Sequence, residues 1–537
     1  MAKISVKQVK DFTGGLNFRA DQFQLKDNES PKMLNVEIDP RGGVFSRGAQ
    51  RRLNTTAVAG TWTPHKLFPF SGGDTPTVML TNGTKVYKST GGNFTTLQYS
   101  AGNDITSPSS HGACMAQWGN KMYIACGSAG NGGYVWSTTD TYAFALTASG
   151  TNPHDWQTVQ DATQRKMPTA EHLIVHANKM WAANTTEAGT YYPNRLRWSL
   201  ENAPENWDAD NYFDINGGGN GITGLAVVSG QLVVFKPSAV YAIFGYDSDN
   251  FQVVELTSRI GCLNHHAVAQ SEDGVYWFSH NQGLYFYNGS SIQDKFVNLR
   301  SAIDVNYINP AQHESITVSY IGRRVWVSAA YSTGDLATVP TVNFVFDPSI
   351  NDGVYTMFST YDGYGLIAGC DWTDSNNLDY RLMIHPAQPY VVRVDIYDEV
   401  QDDINGTPAN FTSYYRTKWQ DGGNYVAKKM WRRPDFIVKE TSAQSTISVD
   451  VYHDFAEGEN QERRTFNLTQ TPDTNALIWG TGLWGQNWSQ GAISSIVLTG
   501  NNLGLARTVQ MEFTGPAGEK WGINSIGYKF QSRRVKG

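Results

Sequence analysis

Cys262, His265, His266 and His280 lie close together and offer the thiolate and imidazole ligands that a divalent cation such as zinc would draw on. Their spacing fits no tetrahedral template, and consecutive histidines on a strand point to opposite faces, so they read as ordinary strand residues. Asp208, Asp210 and Asp214 in "WDADNYFDING" would gather oxygens around calcium, but the glycine falls beyond the third aspartate and no bidentate glutamate follows. The stretch predicts a solvated loop in which Asn and Asp cap turns. Gly219-Asn220-Gly221-Ile222-Thr223-Gly224 matches a dinucleotide-binding fingerprint letter for letter. A strand-forming segment follows it, with no helix N-terminus to hold a pyrophosphate. Nucleophile elbows, Walker loops and HExxH motifs are absent. The reading is a non-enzyme with no metal or cofactor.

The elements that would carry any site are strands. Of 537 residues, 40% are hydrophobic and 17% charged, with 52 Gly, 16 Trp, 27 Tyr and 24 Phe, a turn-rich aromatic composition that favours sheets over helices. "GLAVVSGQLVVFKPSAVYAIFG" from Gly224 shows the grammar: apolar strand, Gly, Asn or Asp turn, aromatic-bearing strand. The same pattern starts at Val78, Cys114, His172, Ala267, Ile316 and, more loosely, Leu382. A period of about 40–60 residues suits four-stranded propeller blades, and six or seven blades are expected over residues 61–400. A closed ring buries both faces of every blade, with Trp118, Tyr123, Trp181, Tyr241, Trp277, Tyr285 and Trp326 as the cement between them. "SEDGVYW" from Ser271 resembles the Asp-box turn of sialidase propellers, one position off between Ser and Gly, and that turn is structural.

Residues 1–60 and 401–537 leave this grammar. The alternating stretches "STISVDVYHDF", "RRTFNLTQT", "AISSIVLTG", "RTVQMEFTG" and "INSIGYKFQSRR" predict a C-terminal β-sandwich. Cys114, Cys126, Cys262 and Cys370 form no CxxC pair, as expected in a reducing cytoplasm. "MAKISVKQVKDF" has no apolar core for a secretory signal, and the uncharged run from Thr474 to Ala506 is too broken by Gly, Asn, Gln and Ser for a membrane helix. The net charge of −7 divides unevenly, with an acidic body over residues 1–407 and a basic region over 408–537. That balance argues against a protein that grips duplex DNA, which needs a concentrated cationic face.

The N-terminal "DFTGGLNFRADQFQLKDNESPKMLNVEIDPRGGVFSRGAQRR" resembles the opening of tail nozzle proteins of short-tailed bacteriophages, also called tail tubular protein B, and of the related tail hub or head-stabilisation proteins. "NRLRWSLENAPENWDADNYFDINGGGNGITGLAVVSGQLVVFKPSAVYAIFG", "SRIGCLNHHAVAQSEDGVYWFSHNQGLYFYNG", "MWRRPDFIVK" and "GINSIGYKFQSRRVKG" are similar to the same group. The resemblance implies a homo-oligomeric ring of six subunits in the virion tail, assembled in the bacterial host cytoplasm. Each subunit would carry a β-propeller and a platform built from residues 1–60 and 401–537. The ring would continue the portal and adaptor channel, retain the packaged genome and conduct double-stranded DNA without sequence-specific binding on ejection. Neighbours would be the adaptor and the tail fibre or tip proteins, with no membrane segment. Arg47, Arg51, Arg52, Lys428, Lys429, Arg432, Arg433, Arg533, Arg534 and Lys536 are the expected adaptor-facing residues. The alternatives are a host-glycan-binding tail propeller and a propeller glycoside hydrolase with converging carboxylates.

Overall fold

The apolar runs after Gly224 fold into four antiparallel strands, Gly224–Val228, Gln231–Phe235, Val240–Phe244 and Gln252–Thr257, each paired with the next. Ser229 and Gly230 turn the first hairpin with φ of +48° and +75°, the left-handed backbone that a two-residue hairpin turn demands. Leu232, Val233, Val234 and Phe235 are all inaccessible, although successive side chains point to opposite faces. Such a sheet is apolar on both sides and needs a neighbour on each.

The computed structural model describes residues 4–532 except 20, 128–131, 147–166, 188, 281, 352, 440, 442–443, 456–463 and 472–494. Among the described residues, seven four-stranded sheets begin at Pro64, Cys114, Thr169, Gly224, Val268, Thr317 and Ile367. Each of the seven sequence repeats falls in a different one. The chain is all-β and of β-propeller character.

Apolar clusters straddle neighbouring sheets. Phe70, Met79, Met115 and Trp136 join the first to the second, and Tyr123, Val135, Leu173 and Trp207 the second to the third. Trp181, Trp198, Val234 and Ile243 join the third to the fourth, and Trp326, Phe358, Met383 and Val392 the sixth to the seventh. Leu67, Leu80, Cys370 and Leu382 bring the seventh back to the first. Fully burying a Trp or Leu removes enough apolar surface to stabilise by roughly 1.5–3 kcal/mol per side chain, so these seams favour mutual packing over exposure.

The seventh sheet draws Ile367–Thr373, Asp379–Ile384 and Val391–Ile396 from one end of this region and its fourth strand, Ala49–Arg52, from the N-terminal segment. The expected boundary at residue 60 is therefore moved: residues 49–52 belong to the repeating sheets, because the edge of Val391–Ile396 offers unpaired backbone groups that they satisfy.

Two further sheets combine both chain ends. In the larger, Gly522–Ser532 pairs with Ser5–Val9, Val44–Ser46, Lys429–Trp431 and Asp435–Lys439. In the smaller, Lys32–Leu34, Tyr414–Arg416, Val509–Thr514, Ser445–His453 and Arg464–Gln470 run side by side. Phe436 of the larger sheet meets Phe513 and Phe466 of the smaller at ring distances of 5.7 and 6.2 Å, so the two pack face to face. One continuous core joins this pair to the fourth, fifth and sixth repeating sheets. No helix of the described residues is long and apolar enough to cross a membrane. Much of the uncharged run from Thr474 lies outside the described residues; Ser495–Thr499 and Gly504–Ala506 within it are strands.

At the junction, the Arg47 guanidinium donates to both carboxylate oxygens of Asp402 at 2.9 and 2.7 Å, to Asn35, and to the carbonyls of Gly48 and Ser359. Asp402 also accepts from the amides of Gln50 and Tyr361. Both side chains are buried, and Phe411 stacks on the guanidinium at 3.8 Å. Removing one partner strands the other charge in a dry site. Asp402→Ala is expected to lower stability by about 3–5 kcal/mol in guanidinium unfolding. Arg51→Ala, which breaks a half-exposed pair with Glu399, should cost under about 1 kcal/mol. Equal losses would contradict the assignment.

Candidate functional site

The structure separates the ten basic residues expected to face a partner. Arg47 is corrected outright: buried at 1% exposure and consumed by Asp402, it cannot meet another molecule. Lys429 is likewise buried, its ammonium donating to the carbonyls of Asn424, Ala427 and Arg507, because the backbone there wraps round it. Arg51 pairs with Glu399, and Arg52 donates to the Thr55 carbonyl beside the Tyr390 ring, both on the seventh sheet. Lys428, Arg432 and Arg433 are exposed beside the Lys429–Trp431 strand of the larger sheet. Arg432 donates to Gln531 across the pairing with Gly522–Ser532. Arg533, Arg534 and Lys536 lie outside the described residues, but Ser532, just before them, is the register partner of Lys429. Sequence stretches a hundred residues apart thus meet on one sheet.

The remaining motifs resolve as structure. Residues 208–214 fall within the long strand Ala203–Asp214; Trp207 and residues 212–214 pair with Thr190–Leu200, and Asp208–Asn211 lie where the register shifts, with Asp208 accepting from the Asp210 amide. Asp214 is held by Arg195 at 2.8 and 2.9 Å. Residues 217–221 make a turn whose glycines have positive φ, and Ala239 would obstruct a Cβ at Gly218. Ser271 closes a turn on the Gly274 carbonyl. Four cysteines are free, and no three His, Cys, Asp or Glu among the described residues are placed to hold a metal.

His265 and His266 sit on a one-turn 3-10 helix, not a strand, which corrects their expected opposition: their rings are 3.9 Å apart. His280 lies elsewhere, beside His313. His265 is 5.2 Å from His172 and 6.0 Å from His111, and His266 is 6.2 Å from His65. Five imidazoles therefore gather where the first strands of four sheets begin. His266 Nε2 bonds the His111 carbonyl and His172 Nε2 the Ile222 carbonyl, but a second ring nitrogen of each, and one each on His65, His111 and His265, has no partner. Burial pushes all five below the usual histidine range, His65 and His172 to about 4; neighbouring imidazoles push His65, His172, His265 and His266 the same way, and Lys66 adds to this at the last three. Glu171 opposes them at His111 and His172. Next to the cluster a cavity of about 300 Å³ is walled by the first strands of five sheets, with Lys66, Cys114, Gln117, His172, His265 and Gln270 as its polar groups. No local motif marked this place. Lining the repeats up on their first strands would have found it.

A second hollow, of about 760 Å³, lies between Val36–Ile38 and the sixth and seventh sheets. At its wall Arg324 bridges Asp395 and Glu37, Arg381 also reaches Asp395 at 2.9 Å, and Tyr397 donates to Glu37 at 2.9 Å. Burial raises Glu37, against the pull of Arg324. Arg324, Arg381, Asp395 and Glu37 satisfy one another there.

No family model matches the chain, and no curated protein does. Solved structures similar in fold include the following two. One is BBS1N, solved in complex with ARL6DN, at 10% identity, TM-score 0.36, covering 65% of this chain and 96% of that one. The other is the extracellular domain of a one component system from B. thetaiotaomicron, at 11% identity and TM-score 0.40, covering 83% of this chain and 58% of that one. Likeness at this level carries no functional argument.

The cluster has a pH consequence. A histidine whose folded pKa is depressed stays neutral in the fold, while the unfolded chain takes up its proton below 6.5. Stability is therefore full at neutral pH, falls as pH drops through 6.5 and levels off below about 4, with roughly 3 kcal/mol at stake for each of His65 and His172. Denaturant midpoints measured down to pH 4 should show the loss, and the double variant His65→Gln/His172→Gln should reduce it, with His111, His265 and His266 supplying the remainder. An unchanged slope would contradict the account.

Proposed function

We propose that the chain is a structural subunit of a phage tail, a nozzle or hub protein, and that its seven sheets are the blades of one propeller. The two sheets built from both chain ends act as its platform. Six copies form a ring that continues the portal and adaptor channel, retains the genome and passes DNA on ejection. The observation that carries this reading is the exposure of Lys428, Arg432 and Arg433 beside the Lys429–Trp431 strand of the larger end-built sheet, where it pairs with Gly522–Ser532. An exposed basic strip outside the acidic body suits docking onto an acidic protein surface, and charges there mainly steer and register a partner. A conduit benefits from walls that do not neutralise phosphates, since each contact adds affinity and slows passage.

The sequence resemblance adds to this. A hydrolase would place carboxylates at the propeller axis, whereas the axial cavity here presents a lysine, histidines and glutamines.

Cryo-electron microscopy of particles containing the protein is expected to show a six-fold ring below the portal, and density placing it outside the tail would overturn the reading. Arg432→Glu/Arg433→Glu should leave denaturant stability within about 0.5 kcal/mol of the parent yet prevent incorporation into particles. Normal incorporation would remove these residues from the docking face.

A further inference from the structure

We infer that the axial cavity is a binding site for a small organic anion, a monocarboxylate with an apolar body, held by the ammonium of Lys66. This is independent of the tail assignment. Lys66 lies in the first strand of the first sheet, borders the cavity and keeps part of its surface accessible, while the protein packed round it lowers its pKa. Its Nζ has no hydrogen-bond acceptor and no carboxylate among the described residues; it lies over the Phe68 ring, 5.6 Å from the centroid.

Several other buried cations are satisfied. Arg47 has Asp402, Arg197 has Glu187 at 2.6 and 2.8 Å, Arg324 has Asp395, Lys429 has three carbonyls, and Lys236 has Asn194 and the Ile215 carbonyl. Lys66 departs from this pattern.

The groups that face it cannot supply the missing charge. Cys114 and Cys370 are thiols that burial holds protonated. His172, His265 and His266 are neutral or cationic, never anionic. Glu171, the acid closest to the histidines, already accepts from Asn184 at 2.9 Å and Tyr191 at 3.2 Å. An ammonium taken from water without a counter-charge is costly, and an anion from outside would restore the balance. The cavity's volume lies at the lower bound for a small organic ligand. Ala116, Leu225 and Val268 give it an apolar wall, and Gln117 and Gln270 offer amide donors. One cation and an apolar wall match a single carboxylate on a hydrocarbon body better than phosphate, which calls for several cationic donors.

Benzoate titrated into the full chain by calorimetry, beside inorganic phosphate at the same ionic strength, tests the inference. Saturable one-to-one binding of benzoate is expected, weakened by about tenfold or more in Lys66→Met, the loss of one charge-assisted hydrogen bond. Lys66→Met should unfold no earlier than the parent without ligand, since it removes an unpaired buried charge. Ala116→Leu, which fills the cavity and leaves the lysine, should also lose binding and serves if the first variant misfolds. Absence of saturable benzoate binding, equal binding by Lys66→Met, or tighter binding of phosphate than of benzoate would each overturn the inference.

Discussion

A sheet apolar on both faces is stable between two neighbours and nowhere else. The rest of the structure follows from that constraint. Seven such sheets share their seams in sequence order, and the seventh reaches the first through Leu67, Leu80, Cys370 and Leu382. The seventh is complete because residues 49–52, supplied from the other end of the chain, pair with Val391–Ile396. The Arg47–Asp402 pair fixes the residues on either side of that strand, so the N-terminal segment belongs to the repeating sheets and to the end-built pair at once. Loss of the strand would expose a sheet edge and loosen the anchor of Asn35 to the amide of Ser359 and the carbonyl of Met357.

Much of this was legible in the sequence because strand, turn and aromatic recur at a fixed grammar, and each repeat landed in its own sheet. The alternating C-terminal stretches were legible for the same reason, as period-two patterns around Ile447, Val449, Val451 and Met511, Phe513. What could not be read was pairing between distant segments. The strand at residues 49–52 is too short to signal itself, and the twelve-residue strand Ala203–Asp214 is held by its partner at Trp207 and residues 212–214 rather than by its own polar composition. Charge clusters misled for a related reason. "SRGAQRR" and "AKKMWRR" look uniformly exposed, yet Arg47 is buried along with its neighbours from Ser46 to Gln50, where Asp402 holds it, and Lys429 is buried beside the exposed Lys428. His65, His111, His172 and the His265–His266 pair are far apart in sequence and meet only because the first strands of their sheets lie side by side.

The distribution of charge divides the molecule by task. Arg47, Arg197 and Arg324 spend their donors on internal carboxylates and fix the geometry of seams and junctions. Lys428, Arg432 and Arg433 remain outside, where a partner can read them. Lys66 belongs to neither group, and the neutral histidines beside it leave the axis without an anion of its own. A scaffold whose stability comes from shared apolar seams can carry such a site, because the cost of one unbalanced cation is small against many buried aromatics.

The central claim is that residues 49–52 are an integral strand of the seventh sheet rather than a loop laid against it. Hydrogen–deuterium exchange on the intact chain tests it directly. The amides of residues 49–52 and 391–396 should exchange as slowly as those of 231–235 in the fourth sheet. Rapid exchange at 49–52 beside sustained protection at 231–235 would show that the sheets hold together without the chain's first segment, and the account would fail.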